Sequence, residues 1–195
     1  MKIERPRSNQ PIPDDAKLVF KGKIFDVYQW EQEMFDGSKE IFEKLKRPDT
    51  VVIFPVLPDG RILLIEQEQP GKGSFTDIPG GRVDAGEGIL DAAKRELLEE
   101  SGYEAEEYVL WNSRHPTSKI DWVVYVFIAK RLKKVSDMHL DAGERIKLKP
   151  VAFDEFIEIA TKEGKIADIQ DVLLQLMEAK LDPKKMEELR KLFEL

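Results

Sequence analysis

Apolar positions along the chain follow two periods. From Lys17 to Lys46 the β-prone residues Leu18, Phe20, Ile24, Val27, Tyr28 and Trp30 are set among polar ones, and Asp36-Gly37 is a tight-turn signal. This pattern predicts a small antiparallel sheet. Val51 to Leu57 is an apolar run consistent with a buried strand, and Pro58-Asp59-Gly60 turns the chain into a second strand from Ile62 to Glu66. Glycines and short polar residues from Gly71 to Gly86 predict a loop. Ile89 to Ser101 then has helical spacing, with Leu90, Ala93 and Leu97 on one face and Gly102 placed as a C-cap. Val109 to Trp111, Trp122 to Ala129 and Ile146 to Val151 read as strands. Phe153 to Glu163 and Ile166 to Lys180 read as helices separated by Gly164. After Pro183 an amphipathic segment gathers Met186, Leu189, Leu192 and Phe193 on one side. The opening stretch to about Ala16 carries Pro6, Pro11 and Pro13, which suit an irregular arm. Strands and helices alternate, so the expected class is α/β.

Composition narrows the chemistry. In 195 residues, 42% hydrophobic and 35% charged, there is enough apolar material for one packed domain with an appendage. No stretch approaches the roughly 20 apolar residues of a membrane span, and the first residues lack a secretion signal, so a cytoplasmic protein without a membrane partner is expected. With 0 Cys and 2 His, thiolate and imidazole metal centres are excluded, and any metal must be held by oxygen. The net charge of −7 argues against nucleic acid as a partner. A small anionic substrate would need a bridging cation.

Glu96, Glu99 and Glu100 lie three and four residues apart, so their carboxylates share a helical face. Taken alone, such a face is either solvated or a site for Mg²⁺ or Mn²⁺, which favour oxygen ligands. The longer spacing distinguishes them. Gly81, Glu87, Arg95, Glu96, Leu97, Glu99, Glu100 and Gly102 match the Nudix signature G-x5-E-x7-R-E-U-x-E-E-x-G-U, where U is aliphatic; only Tyr103 departs, at the last aliphatic position.

The sequence thus resembles the Nudix hydrolases. The resemblance implies a Nudix-type α/β/α sandwich with a mixed sheet over residues 48–180, preceded by a small N-terminal antiparallel sheet within 1–47 and followed by a helical extension over 181–195. It implies water attack on a diphosphate linked to a nucleoside, with Mg²⁺ or Mn²⁺ as cofactor. Glu96 and Glu100 would be the principal metal ligands with Glu99 beside them, and the Gly80 carbonyl would add an oxygen. Arg95 and Glu87 would form an ion pair holding loop to helix.

Within the family, three features resemble the ADP-ribose pyrophosphatase branch: the β-rich segment before Arg47-Pro48, the acidic loop from Asp141 to Arg145, and Gly164-Lys165-Ile166 between helices. This likeness implies a homodimer built on the N-terminal sheet, and ADP-ribose as substrate, giving AMP and ribose 5-phosphate. Glu144 would serve metal or water, with Asp141 as a weaker substitute and Glu99 as the next candidate base. Two departures stand out. Gln69-Pro70 occupies the place of an arginine that contacts substrate in that branch, and Pro116-Thr117-Ser118 replaces a Ser-Pro-Gly turn. Asp121 either contacts a ribose hydroxyl or ends a loop. Tyr28 and Trp30 either stack a purine across a dimer or pack within the sheet, and Trp111 and Trp122 suit the core. The basic run of Lys130, Arg131, Lys133 and Lys134 reads first as a solvated turn after a strand and second as a phosphate contact. A hydrolase for another nucleotide sugar, or a Nudix domain that binds a nucleotide without cleaving it, are the alternatives.

Overall fold

The computed structural model describes residues 3–140, 142–162, 166 and 169–195. In chain order the first strands are β1 (Lys17–Lys21), β2 (Asp26–Glu33), β3 (Lys39–Lys46), β4 (Thr50–Pro55), β5 (Ile62–Gln69), β6 (Lys72–Asp77) and β7 (Gly80–Arg82). Helix α1 (Ile89–Ser101) follows, then β8 (Tyr103–Arg114), β9 (Ile120–Asp121), β10 (Val124–Lys134) and β11 (Arg145–Val151). Helices α2 (Phe153–Ala160), α3 (Leu173–Leu181) and α4 (Pro183–Phe193) complete the chain.

The central sheet has the order β7-β4-β10-β8, with β4 and β10 parallel and its other pairs antiparallel. Its apolar runs are continuous because both faces are covered. Val51 and Ile53 of β4, with Tyr125 and Phe127 of β10, pack on Ala92, Ala93 and Leu97 of α1. Val52 and Phe54, with Val124 and Val126, face the other way into Phe156, Leu176, Leu189 and Phe193 of the three C-terminal helices. This is an α/β sandwich with a mixed sheet. A second sheet, β11-β5-β6, lies beside it, and the N-terminal sheet has the order β1-β2-β3-β9.

The arm before β1 is fastened at three points. Arg5 pairs with Asp49 at 2.9 Å and Asp121 at 3.0 Å, and Nε2 of His115 lies 3.1 Å from the Pro6 carbonyl oxygen. The buried Lys44 ammonium donates to Ser8 Oγ at 3.1 Å and to the Gln10 carbonyl at 2.5 Å. The arm therefore bridges β3 to the start of the central sheet. On the N-terminal sheet Leu18, Phe20 and Ile41 stay exposed, as does Phe35 in its turn.

Several boundaries differ from the sequence expectation. The stretch from Gly71 to Gly86 contains β6 and β7 and is not a loop throughout. The run Lys130 to Lys134 lies within β10, where Lys130 is buried and pairs with Glu194 at 3.2 Å, so it is not a solvated turn. Helix α3 begins at Leu173, not Ile166. Just before it, Asp171 is engaged by β8: Asn112 donates to the Asp171 carbonyl at 2.6 Å, and Arg114 pairs with the Asp171 carboxylate at 2.5 Å. Gly164, Lys165 and Asp141 fall outside the described residues.

Candidate active site

Helix α1 carries the acidic residues into the interior. It ends at Gly102, whose N–H closes the last turn on the Leu98 carbonyl at 2.7 Å and whose φ of 69° then turns the chain out of the helix. Ala93, Leu97 and Glu100 fall on one stripe, so Glu100 shares the buried side of the helix and is 6% exposed. One turn earlier, Glu96 is nearly as enclosed, its side chain 12% exposed against 41% for Glu99. The three carboxylates are therefore not equivalent. Glu96 and Glu100 face inward, and Glu99 is at the rim.

The two glycines ahead of α1 make this close approach possible. Gly80 pairs with Val52 and Gly81 with Val51 in the β4–β7 ladder. A Cβ on Gly80 would drive into the Val51 carbonyl oxygen, and one on Gly81 would collide with the Glu96 carboxylate. The Gly80 N–H donates to Glu100 Oε2 at 2.9 Å. Strand and helix are thus joined at the acidic centre.

Arg95 saturates its guanidinium among these groups. Nε donates to Glu87 at 2.9 Å, Nη1 to Glu96 at 2.8 Å and Glu99 at 3.1 Å, and Nη2 to Glu87 at 3.0 Å and the Arg82 carbonyl at 2.9 Å. Five N–H donors meet five acceptors. The two parallel bonds to Glu87 are a bidentate clamp, and Glu87 also accepts the Asp84 N–H at 3.0 Å. The Arg95 guanidinium holds the Glu87 carboxyl below its ordinary range.

Glu144, from the loop before β11, joins the helix carboxylates. A cavity of about 200 Å³ is lined by Glu100, Glu144, Asp77, Gly80, Gln67, Gln69 and Lys72, among others. Burial pushes Glu100 up to about 9, against a favourable bond from Gly80 and with added repulsion from Glu96, Glu144 and Asp77. Burial likewise raises Glu96, with Glu99 and Glu144 adding to the shift. Among the described residues no three acidic or imidazole groups already converge on one point: Glu96 and Glu99 lean on Arg95, and Glu100 leans on Gly80. The donor set is all oxygen and its charges repel one another, which suits a hard divalent cation.

Tyr28 and Asp121 share a different cavity, of about 490 Å³, with Arg5, Arg7, Ser8 and Lys46. Trp30 does not line it; it is 7% exposed and packs against Phe42, ring centres 6.2 Å apart. The two cavities have no lining residue in common. The sequence reading missed Lys72, although Pro70-Gly71 is a turn signal that would have placed it opposite Gln69.

The model of the NUDIX domain matches residues 46–192. The chain belongs to the Nudix family. Among curated Nudix relatives, it is 31% identical over 172 residues to a methanol dehydrogenase activator of Bacillus methanolicus, covering 84% of this chain and 92% of that one. It is 28% identical over 144 residues to an ADP-ribose pyrophosphatase of Bacillus subtilis, covering 72% and 78%. A crystal structure of an ADP compounds hydrolase superposes with a TM-score of 0.68 at 20% identity, over 92% of this chain and 98% of that one, and shares the α/β fold. Among the described residues no helix is long and apolar enough to cross a membrane.

Proposed function

We propose that this Nudix protein hydrolyses the diphosphate bond of a nucleoside diphosphate sugar in a divalent-cation-dependent reaction, with ADP-ribose the first substrate to test. The observation that carries the reading is the meeting of Glu100, Glu144 and Gly80 around one cavity, with Glu96 within electrostatic reach of both acids. The relatives support the choice of nucleotide: one is named an ADP-ribose pyrophosphatase. Glu96 and Glu100, with Glu99 at the rim and the Gly80 carbonyl, would hold Mg²⁺ or Mn²⁺. Such a cation supplies water activation and charge neutralisation at phosphate oxygens. Glu144 orients the attacking water and accepts its proton, because the inward helix acids are committed as ligands. Arg95 and Glu87 fix the loop against the helix.

The decisive experiment is a panel of nucleotide diphosphates assayed with Mg²⁺, with Mn²⁺ and with EDTA. Release of AMP and ribose 5-phosphate from ADP-ribose, abolished by EDTA, is expected. No turnover of any member would overturn the reading in favour of a nucleotide-binding domain. Glu144→Gln should lower kcat at least about 10²-fold while KM stays within a few-fold, since a base acts in the transition state. A change in KM alone would move the base to Glu99.

The Tyr28 and Asp121 cavity, with Arg7 and Lys46, suits the nucleotide half of the substrate, Tyr28 offering a ring face and Asp121 an acceptor for a ribose hydroxyl. Since that cavity is separate from the carboxylates within one subunit, the reading implies a homodimer. Exposed Phe20 and Ile41, which the strand register places on one face, give the N-terminal sheet an apolar surface for it. Sedimentation should show a dimer at micromolar protein, and Phe20→Lys together with Ile41→Lys should yield monomers. A monomeric wild type with full activity would refute the dimer.

A further inference from the structure

The hairpin between β5 and β6 turns over Pro70-Gly71, with Gly71 at φ 79°, the left-handed value that the third residue of a type II turn requires. Gln69 is thereby paired with Lys72. Deeper in the hairpin, Gln67 pairs with Phe75 and Ile65 with Asp77, so the register slips between these points. The two steps from Gln67 to Gln69 are matched by three from Lys72 to Phe75.

A strand places alternate side chains on opposite faces, so one extra residue sends the next side chain to the other side. Without the bulge, Lys72 would point away from Phe75 and Asp77. With it, Lys72 joins Gln67, Gln69, Phe75 and Asp77 on the face that lines the acidic cavity. The Lys72 ammonium rests 3.2 Å from the centre of the Phe75 ring. Lys72 also lines the adjoining cavity of about 570 Å³, which contains Gly143, Glu144 and Arg145 of the acidic loop. It stands where the two spaces join.

The charges make that placement consequential. The small cavity is lined by three carboxylates, Asp77, Glu100 and Glu144, and its lining includes a single cation, Lys72. Arg145, in the larger cavity, is 3.9 Å from Glu68. Gln69 gives the β5 position an amide and no charge, and Lys72 supplies the charge directly across the ladder from it.

We propose that Lys72 is the chain's own cationic contact to the substrate diphosphate, aimed by the β5–β6 bulge and held on the Phe75 ring until a phosphate draws it away. The inference rests on the pyrophosphatase reading and adds a residue to it. A charge-assisted bond to phosphate is stronger than an exposed ammonium's contact with a ring face, so the transfer is favourable. The role is one of substrate binding and not of bond cleavage.

The test uses the full chain with Lys72→Met, which keeps the stem and removes the charge, and Lys72→Arg, which restores it. Inorganic pyrophosphate with Mg²⁺ is titrated calorimetrically, and kcat and KM are measured on whichever nucleotide the wild type cleaves. Lys72→Met should weaken pyrophosphate binding and raise KM by at least about 10-fold, with kcat within a few-fold. Lys72→Arg should recover most of the loss, and thermal midpoints should not move, because the side chain is exposed. Pyrophosphate binding and KM unaltered in Lys72→Met would overturn the inference, as would a wild type that binds no pyrophosphate. Lys72-dependent binding in a protein that cleaves no nucleotide would support the contact and refute the pyrophosphatase reading instead.

Discussion

Glu100→Gln should cut turnover at least about 100-fold under saturating Mg²⁺ while making the metal-free protein more stable at pH 9. The two effects have one cause. Glu100 is 6% exposed, and burial with neighbouring acids pushes it up to about 9. In the unfolded chain the same group titrates at its ordinary value near 4.5. Below that value both states are protonated and nothing is lost. As pH rises from about 4.5 to about 9, the unfolded state has released its proton and the folded state has not, so folding stability falls across this window. Glutamine cannot ionise and escapes the loss, and its carbonyl oxygen can still accept the Gly80 N–H. Thermal melts in EDTA should therefore coincide at pH 4.5 and diverge by pH 9, with the variant higher. Adding Mg²⁺ should raise the wild-type midpoint and leave the variant's nearly unchanged. Near-native turnover in Glu100→Gln would remove Glu100 from the metal site, and melts that coincide at every pH would contradict its enclosure.

The second large effect is expected at Arg95. Arg95→Lys offers three donors from one point in place of five in a plane, so the bidentate hold on Glu87 and the bonds to Glu96, Glu99 and Arg82 cannot all persist. Arg95→Ala removes them together and leaves two largely enclosed carboxylates, Glu87 and Glu96, without their counter-charge. Denaturant titration should show Arg95→Ala destabilised by about 2 kcal/mol or more, with kcat reduced at least about 10²-fold. Arg95→Lys should recover part of the stability and little of the rate. That split identifies a positioning residue, since charge alone would restore both. Glu87→Gln should produce a smaller loss of kcat, because Arg95 keeps its other acceptors. If Arg95→Lys is fully active, the geometry of the fork is irrelevant to the chemistry.

How far the sequence foretold this arrangement depended on whether local pattern or distant contact decided each segment. The apolar run Val51 to Leu57 and the helix ending at Gly102 were legible because burial on the sheet and the left-handed cap are written locally. The acidic constellation was legible through its spacing, and the structure adds the ranking of Glu100 and Glu96 inward and Glu99 outward. The stretch Gly71 to Gly86 was misread because glycine there marks close approach as much as turning: Gly80 lies against the Val51 backbone and Gly81 against Glu96. Lys130 was misread because charge in a run looks solvated until a partner such as Glu194 arrives from 64 residues away. Asp171, just before the start of α3, is likewise engaged from a distant strand, by Asn112 and Arg114, which local pattern does not show. Tyr28 and Asp121 were named separately in the sequence, and only the fold reveals that they face one cavity.

The strapped N-terminal arm has a thermodynamic consequence for assembly. A sheet held only by the link from Arg47 to Asp49 and the two-residue pairing of β3 with β9 would keep some freedom to swing, and any surface docking on it would have to arrest that motion. Here Arg5, Pro6, Ser8 and Gln10 tie the sheet to the start of the central sheet through Asp49, Asp121, His115 and Lys44. The orientational freedom is surrendered during folding, so the exposed apolar face of Phe20 and Ile41 is presented already aligned, and the proposed association through it would lose correspondingly less entropy.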